Sequence, residues 1–234
     1  AYALRLAGLG AKVAVCDINL TSFTEFEAEA AAMTGASTVD EINALGTEAI
    51  GIELDVADQA AVQAMVDQVI AKWGRIDILV CNAGGGRGRP VDTKPSELDP
   101  ALTQLVMGMN YFGTTYCVSA VAPHMKQQRS GKIVTVASTA AINPSPDGGY
   151  AHYGAAKAAI AHYTRYLAQE LGPKGINANC IAPGTIGTGR ILATVIPGSA
   201  QANQNRAERI SLRRIGTVED CAKVVEFLTT DLSD

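Results

Sequence analysis

Five short runs rich in apolar and β-branched residues recur along the chain: KVAVCD at 12–17, EAIGIELD at 48–55, DILVCNAG at 77–84, KIVTVAS at 132–138 and INANCIAPG at 176–184. Longer stretches with helical patterning, roughly 22–45, 58–73, 97–128 and 150–171, lie between them. Strands this uniformly apolar are buried on both faces, and strands separated by helices run parallel beneath them. Right-handed crossovers then predict an α/β domain built on a doubly wound parallel sheet. At 234 residues the chain fits one such domain. Ligands of these sheets bind in loops that follow strand C-termini. Proline and glycine clusters at 84–90, 144–149 and 183–198 all follow strands, which makes them candidate site loops.

The remaining composition mostly excludes. A net charge of −4 with both signs interspersed, and no basic stripe, argues against a nucleic-acid partner. No apolar run is long enough to span a bilayer, and the first residues lack the basic-then-apolar pattern of a secretory signal, so no membrane partner is expected. Cys16, Cys81, Cys117, Cys180 and Cys221 are isolated and odd in number. Without a C-x-x-C they suggest neither a metal site nor a disulfide framework, and fit buried thiols in a reducing cytoplasm.

The opening AYALRLAGLGAKVAVCD contains a G-x-G at Gly8 and Gly10. A dinucleotide fingerprint runs strand, G-x-G-x-x-G, helix. Here a helical stretch comes first, the glycines close it and the strand follows, with Val13 where a third glycine belongs. Both glycines are therefore expected to cap a helix at positive φ. The strand itself ends in Asp17. A carboxylate at that position can accept from adenosine ribose hydroxyls and repel a 2′-phosphate, although a solvated Asp or a helix cap fits equally well.

Three later stretches add chemistry. Asn82, Ala83 and Gly84 end the third run, where small residues let a flat ligand approach the backbone and the Asn82 amide can brace neighbouring strands. Tyr153 and Lys157 are i and i+4 on one helix face, with Ser138 upstream. An ammonium near a phenol favours the phenolate and brings its pKa toward neutrality, as a general acid/base requires. Tyr150 has Gly154 in place of the lysine, and His152 should point away from Tyr153 as a surface or loop residue. In CIAPGTIGTGR, Pro183 and Gly184 make a rigid bend and Thr188 offers a hydroxyl. Taken singly, the Asn82 and Thr188 loops also fit ordinary turns.

As a set, these stretches resemble the short-chain dehydrogenase/reductase family, in its single-domain branch with a Rossmann-like fold. ELDVAD resembles the D-V segment after the third family strand, CNAG the N-N-A-G motif with Cys81 in its first position, and MGMNYFGT the N-x-x-G segment. VAS, YGAAK and APGTIGT resemble the active-site serine, Y-x-x-x-K and P-G-x-I-x-T motifs, and LRRIGTVEDCAKVVEFLTTD the last helix region. The resemblance implies Asn110, Ser138, Tyr153 and Lys157 as catalytic residues. It implies NAD held by Asp17 and Ile18, Asp55 and Val56, Asn82, Ala83 and Gly84, Tyr153 and Lys157, and Pro183, Gly184, Ile186 and Thr188. The substrate would be a secondary alcohol or ketone whose oxygen is held by Ser138 and Tyr153, with Asn110 holding a water that links Lys157 to solvent. Relatives commonly form tetramers through the helices at 97–128 and 150–171, so a homotetramer is expected. A non-catalytic sensor or scaffold of the same fold, and an epimerase or dehydratase sharing the Tyr/Lys pair, are the rival readings.

Three departures from the family pattern stand out. The family's first strand, with T-G-x-x-x-G-I-G, and its last strand have no counterpart in the sequence, which suggests a fragment of a longer domain. The stretch 20–46 exceeds the one helix the family needs, with an interruption around Gly35. The segment 189–212, carrying Ile191, Leu192, Val195 and Ile196, is expected to act as an apolar lid over the substrate.

Overall fold

A computed structural model describes residues 1–194 and 200–234. Helix α1 (Tyr2–Gly8) leads into strand β1 (Val13–Asp17); helices α2 (Glu27–Ala32) and α3 (Thr38–Ala44) lead into β2 (Ala49–Glu53), and α4 (Gln59–Trp73) into β3 (Ile78–Cys81). Helices α5 (Pro100–Met107) and α6 (Gly113–Gln128) precede β4 (Gly131–Val136), and α7 (Ala151–Leu171) precedes β5 (Ile176–Ile181). The last described elements are α8 (Gly189–Thr194), α9 (Ala200–Glu208) and α10 (Val218–Thr229). The fold is α/β, and every strand pair is parallel. The ladder, however, divides in two, β1–β2 and β3–β4–β5, where a single sheet was expected.

Two compact units follow this division. The first comprises 1–53 and 184–226. In it, α1, α3 and the β1–β2 pair meet around Ala7, Ile42 and Ala49, with Leu4, Val13, Val15 and Val39 packed against them. The α1 C-terminus has the hydrogen bonds of a Schellman turn: Gly10 N–H donates to the Ala7 carbonyl and Ala11 N–H to the Leu6 carbonyl. Only Gly10 takes positive φ, at 93°. Gly8 is still helical, so the expectation for it is corrected. One positive-φ residue is enough to reverse the chain into β1. Arg5 pairs with Glu219 and Glu226 and so ties α1 to α10.

The stretch 20–46 is not one helix. A 3-10 turn (Ser22–Glu25), α2 and α3 are separated by a break that contains Gly35. Ser37 starts α3 by accepting from the Asp40 N–H. Helix α2 packs on α8, where Glu29 accepts from the Arg190 N–H at 2.8 Å and the Arg190 guanidinium lies 5.2 Å from the Phe26 ring centroid.

The second unit comprises 54–183 and 227–234. Asp58 caps α4 by accepting from Ala60 and Ala61 N–H, and Gly74 ends it at φ 76°. Strand β4 is the middle strand of its sheet and the most buried, with Ile133 and Val134 fully enclosed. Val62 and Val66 of α4, Val118, Val121 and Met125 of α6, and Ile160 and Leu171 of α7 complete this core. Each such side chain contributes about 1.5–3 kcal/mol on burial. The stretch 97–128 is not one regular α-helix: a π-turn at Gly108–Phe112 separates α5 from α6 and places Asn110 at its centre. Among the described residues, no helix is long and apolar enough to cross a membrane.

Candidate active site

Strand β4 delivers Ser138 two residues beyond its end. The backbone stays extended there, and the Ser138 hydroxyl accepts from the Ala140 N–H at 3.2 Å. Thr139 N–H donates to the Pro183 carbonyl at 3.0 Å, so the Ser138 segment is seated on the bend after β5. The first turns of α7 supply Tyr153 and Lys157, as the i, i+4 spacing predicts. The Ser138 side chain lies near enough to Tyr153 to favour its phenolate. Lys157 is 4% exposed; its Nζ donates to the Val136 carbonyl at 2.8 Å and lies 5.7 Å from the Tyr153 ring centroid.

Electrostatics differ here from the sequence expectation. Burial raises the Tyr153 phenol above its usual value, and the neighbouring Ser138 side chain only partly opposes this. Lys157 does not lower it; its ammonium donates to the Val136 carbonyl and lies 5.7 Å from the Tyr153 ring centroid. Burial instead pulls Lys157 itself down from 10.5 to about 8, against the opposing influence of Cys180 and Cys81. At neutral pH Tyr153 is thus a proton donor in waiting, beside a lysine poised to titrate.

Asn110 is fully buried, and both of its amide hydrogens are committed: Nδ2 donates to the Val106 carbonyl at 2.8 Å and the Gly85 carbonyl at 3.0 Å. Its Oδ1 accepts from the Gly85 N–H at 3.1 Å. The side chain therefore fastens the loop after β3, and its N–H groups are not available to the expected water relay. Gly84 is required at this junction. Its φ is 130°, and a Cβ would stand 2.4 Å from Asn110 Oδ1. Asn82, Ala83 and Gly84 present exposed backbone. The Asn82 amide bonds no described group, so it does not brace the strands.

The other expected cofactor residues sit on loops. Asp55 is exposed and accepts from the Ala57 N–H at 2.9 Å, while Val56 packs against Gly113. Pro183 follows β5. In the first unit, Asp17 is exposed at the end of β1 and uses Oδ1 to accept from Asn19 N–H at 3.1 Å. Ile18 beside it is 65% exposed. Gly184 begins the stretch that leads to Ile186, which bridges to Gly216. Thr188 caps α8 through its hydroxyl oxygen, which accepts from Ile191 N–H at 3.2 Å. Ile191 and Leu192 lie on α8, whereas Val195 and Ile196 fall outside the described residues.

Two corrections concern neighbours of Tyr153. His152 is not a surface residue: it is 2% exposed in the first turn of α7, with Nε2 3.1 Å from the Arg87 carbonyl oxygen. Thr93 was not singled out in the sequence, yet it is fully buried and receives the Tyr150 N–H at 2.9 Å. Nothing local in the sequence marks either contact, because each joins segments more than fifty residues apart.

Residues 1–234 match the family described as Enoyl-(Acyl carrier protein) reductase. Cyclohexanol dehydrogenase from Rhodococcus sp. (strain TK6) is 51% identical over 234 residues, covering 100% of this chain and 86% of that protein. The 7alpha-hydroxysteroid dehydrogenase of Escherichia coli (strain K12) is 34% identical over 226 residues, covering 97% and 80%. A solved structure of 7 alpha-hydroxysteroid dehydrogenase complexed with NADH and 7-oxo glycochenodeoxycholic acid superposes with a TM-score of 0.84 at 31% identity, covering 99% of this chain and 82% of that one. NAD+-bound xylitol dehydrogenase follows at 0.83 and 30% identity, covering 99% and 87%. Such similarity along the full length, in a chain whose Ser138, Tyr153 and Lys157 converge as they do here, shows that it belongs to the short-chain dehydrogenase/reductase family.

Proposed function

We propose that this chain interconverts a secondary alcohol and its ketone with NAD, using Tyr153 as general acid and base. The placing of buried Lys157 5.7 Å from the Tyr153 ring centroid, with Ser138 acting on the same phenol, is the observation that carries this reading. The described residues fit the cofactor. Asn82, Ala83 and Gly84 are exposed, as the approach of a flat ring system needs. Asp17 Oδ2 bonds no described group and is free to accept from a ribose hydroxyl. Asp17 and Ile18 would hold the adenosine end with Asp55 and Val56. Asn82, Ala83 and Gly84, Tyr153 and Lys157, and Pro183, Gly184, Ile186 and Thr188 would hold the remainder. NAD supplies the hydride acceptor.

The chain's own residues handle the proton and the oxygen. Ser138 and Tyr153 hydrogen-bond the substrate oxygen. As the phenolate, Tyr153 accepts the hydroxyl proton during oxidation; as the phenol, it gives the proton back during reduction. Its raised pKa keeps it protonated in the resting protein, the state that reduction uses. Lys157 stands behind the phenol ring and would bind the nicotinamide ribose. The cyclohexanol and hydroxysteroid dehydrogenases among its relatives favour a cyclic alcohol with apolar bulk. Exposed Leu105, Phe112 and Tyr166 on the helices at 100–128 and 151–171 support self-association as a homotetramer. None of the described cysteines is in a disulfide, which supports a reducing, cytoplasmic setting; only Cys81 and Cys117 are buried, and Cys16, Cys180 and Cys221 are partly exposed, against the expectation of buried thiols.

Replacement Tyr153→Phe tests the proposal. Turnover of cyclohexanol, followed at the nicotinamide absorbance, should fall on the order of 10²–10⁴-fold. NAD binding, followed by fluorescence, should persist. Near-normal turnover in the variant would remove Tyr153 from its role. A wild-type protein that binds NAD yet oxidises no secondary alcohol would favour a sensor or scaffold.

A further inference from the structure

The loop after β3 reaches the start of α7 and is fastened there by groups that alcohol oxidation does not itself use. Buried Thr93 accepts the Tyr150 N–H on its hydroxyl at 2.9 Å and the Ala151 N–H on its carbonyl at 3.3 Å. Buried His152 reaches the same loop from the other side, with Nε2 3.1 Å from the Arg87 carbonyl oxygen. Tyr150, between them in sequence, is held at φ 59°, a conformation that aromatic residues avoid. Its ring lies against Gly86, where a Cβ would come within 3.2 Å of it, and stands edge-on to Tyr153 with centroids 6.5 Å apart.

The His152 ring explains its own presence. A carbonyl oxygen only accepts, so Nε2 must carry the proton. Nδ1 is buried and has no hydrogen-bond partner among the described residues. An apolar side chain would fill the same volume without burying an unpaired nitrogen. What an imidazole adds is the Nε2–H bond to Arg87. We infer that His152 is a positioning residue: by pinning the Arg87 carbonyl it holds loop 86–93 and the Tyr150 ring as one wall beside Tyr153, and so orients the alcohol. The reason for siting it there is geometric, since His152 immediately precedes Tyr153 and any slack in the loop is felt one residue from the general base.

This inference rests on the alcohol-oxidising reading, and its test keeps the two apart. Wild-type turnover of cyclohexanol with NAD tests that reading first. His152→Leu keeps much of the volume but loses the donor, whereas His152→Gln keeps a nitrogen donor at a similar reach. For His152→Leu, kcat/KM for the alcohol should fall about tenfold, the scale of one hydrogen bond, while the Kd for NAD changes less than about twofold. His152→Gln should recover most of the loss. A wild-type kcat/KM in His152→Leu, or equal losses in both variants, would overturn the proposal. Two readouts need no turnover. Imidazole ¹⁵N shifts of the wild-type protein should show Nε2 protonated and Nδ1 bare, and amides of 86–93 should exchange faster in His152→Leu. The opposite tautomer, or unchanged exchange, would overturn it even if cyclohexanol proves not to be a substrate. If His152→Leu fails to fold, the tautomer and the kinetics of His152→Gln still decide.

Discussion

Replacing Lys157 with Met should change how stability depends on pH, in a direction and by an amount that the structure sets. The ammonium is almost completely buried, and its one hydrogen bond is to the Val136 carbonyl. Burial lowers it from 10.5 to about 8. At about 1.4 kcal/mol per pH unit, that drop corresponds to about 3 kcal/mol held against the charged form in the folded protein. Below about pH 8 the lysine is protonated in both folded and unfolded states, so the whole penalty is present. As pH rises through 8 the folded state sheds its proton while the unfolded state, at 10.5, still holds one. The unfolded state then binds more protons, and the wild type gains stability relative to a variant with no amine.

Lys157→Met also strands the Val136 carbonyl, at a cost of about 1–3 kcal/mol. The offset near pH 7 therefore nearly cancels, and the slope is the informative quantity. Urea unfolding of both proteins, from about pH 7 to about pH 9.5, should show the wild type gaining about 2 kcal/mol on the variant over that range. Tyr153, to whose shift Lys157 does not contribute, titrates in both proteins and drops out of the difference. Parallel curves, or a difference that moves the other way, would refute the view that Lys157 is held at a desolvation cost beside Tyr153.

Two further outcomes follow from the cofactor side. Asp17→Ser removes the exposed carboxylate at the end of β1. The ratio of kcat/KM with NAD to that with NADP should drop at least about tenfold, and an unchanged ratio would show that Asp17 does not meet the ribose. Gly84→Ala puts a Cβ 2.4 Å from Asn110 Oδ1 at a φ of 130°. It should cost at least about 2 kcal/mol and lower Tm by about 4 °C or more in a domain of this size; a wild-type melting curve would contradict the close Gly84–Asn110 approach.

All five strands fall where the apolar runs predicted, and α4 and α7 begin and end within a residue of their expected limits. The break at Gly35 and the reversal at Gly10 were also legible, because glycine acts on its own backbone. The π-turn in 97–128 was not: Gly108–Phe112 carries no proline, and the π-turn takes its form where Asn110 reaches across to Gly85. Ser138, Tyr153 and Lys157 were singled out by their resemblance to short family motifs, and the structure brings Tyr153 and Lys157 together on α7 because i, i+4 spacing is a local property. Their protonation behaviour was misjudged because it depends on Val136 and on burial, neither of which the Y-x-x-x-K spacing encodes.

The sequence by itself thus determined which segments are strands and helices and which residue types stand at the strand ends, since apolar periodicity, capping and turn chemistry act over a few residues. Tertiary structure alone decided that Lys157 donates to a carbonyl 21 residues away, that Asn110 clamps a loop 25 residues away, and that His152 is buried against one 65 residues away. Those partners are main-chain atoms that every residue type carries. Packing, and not sequence, selects which of them a buried side chain meets.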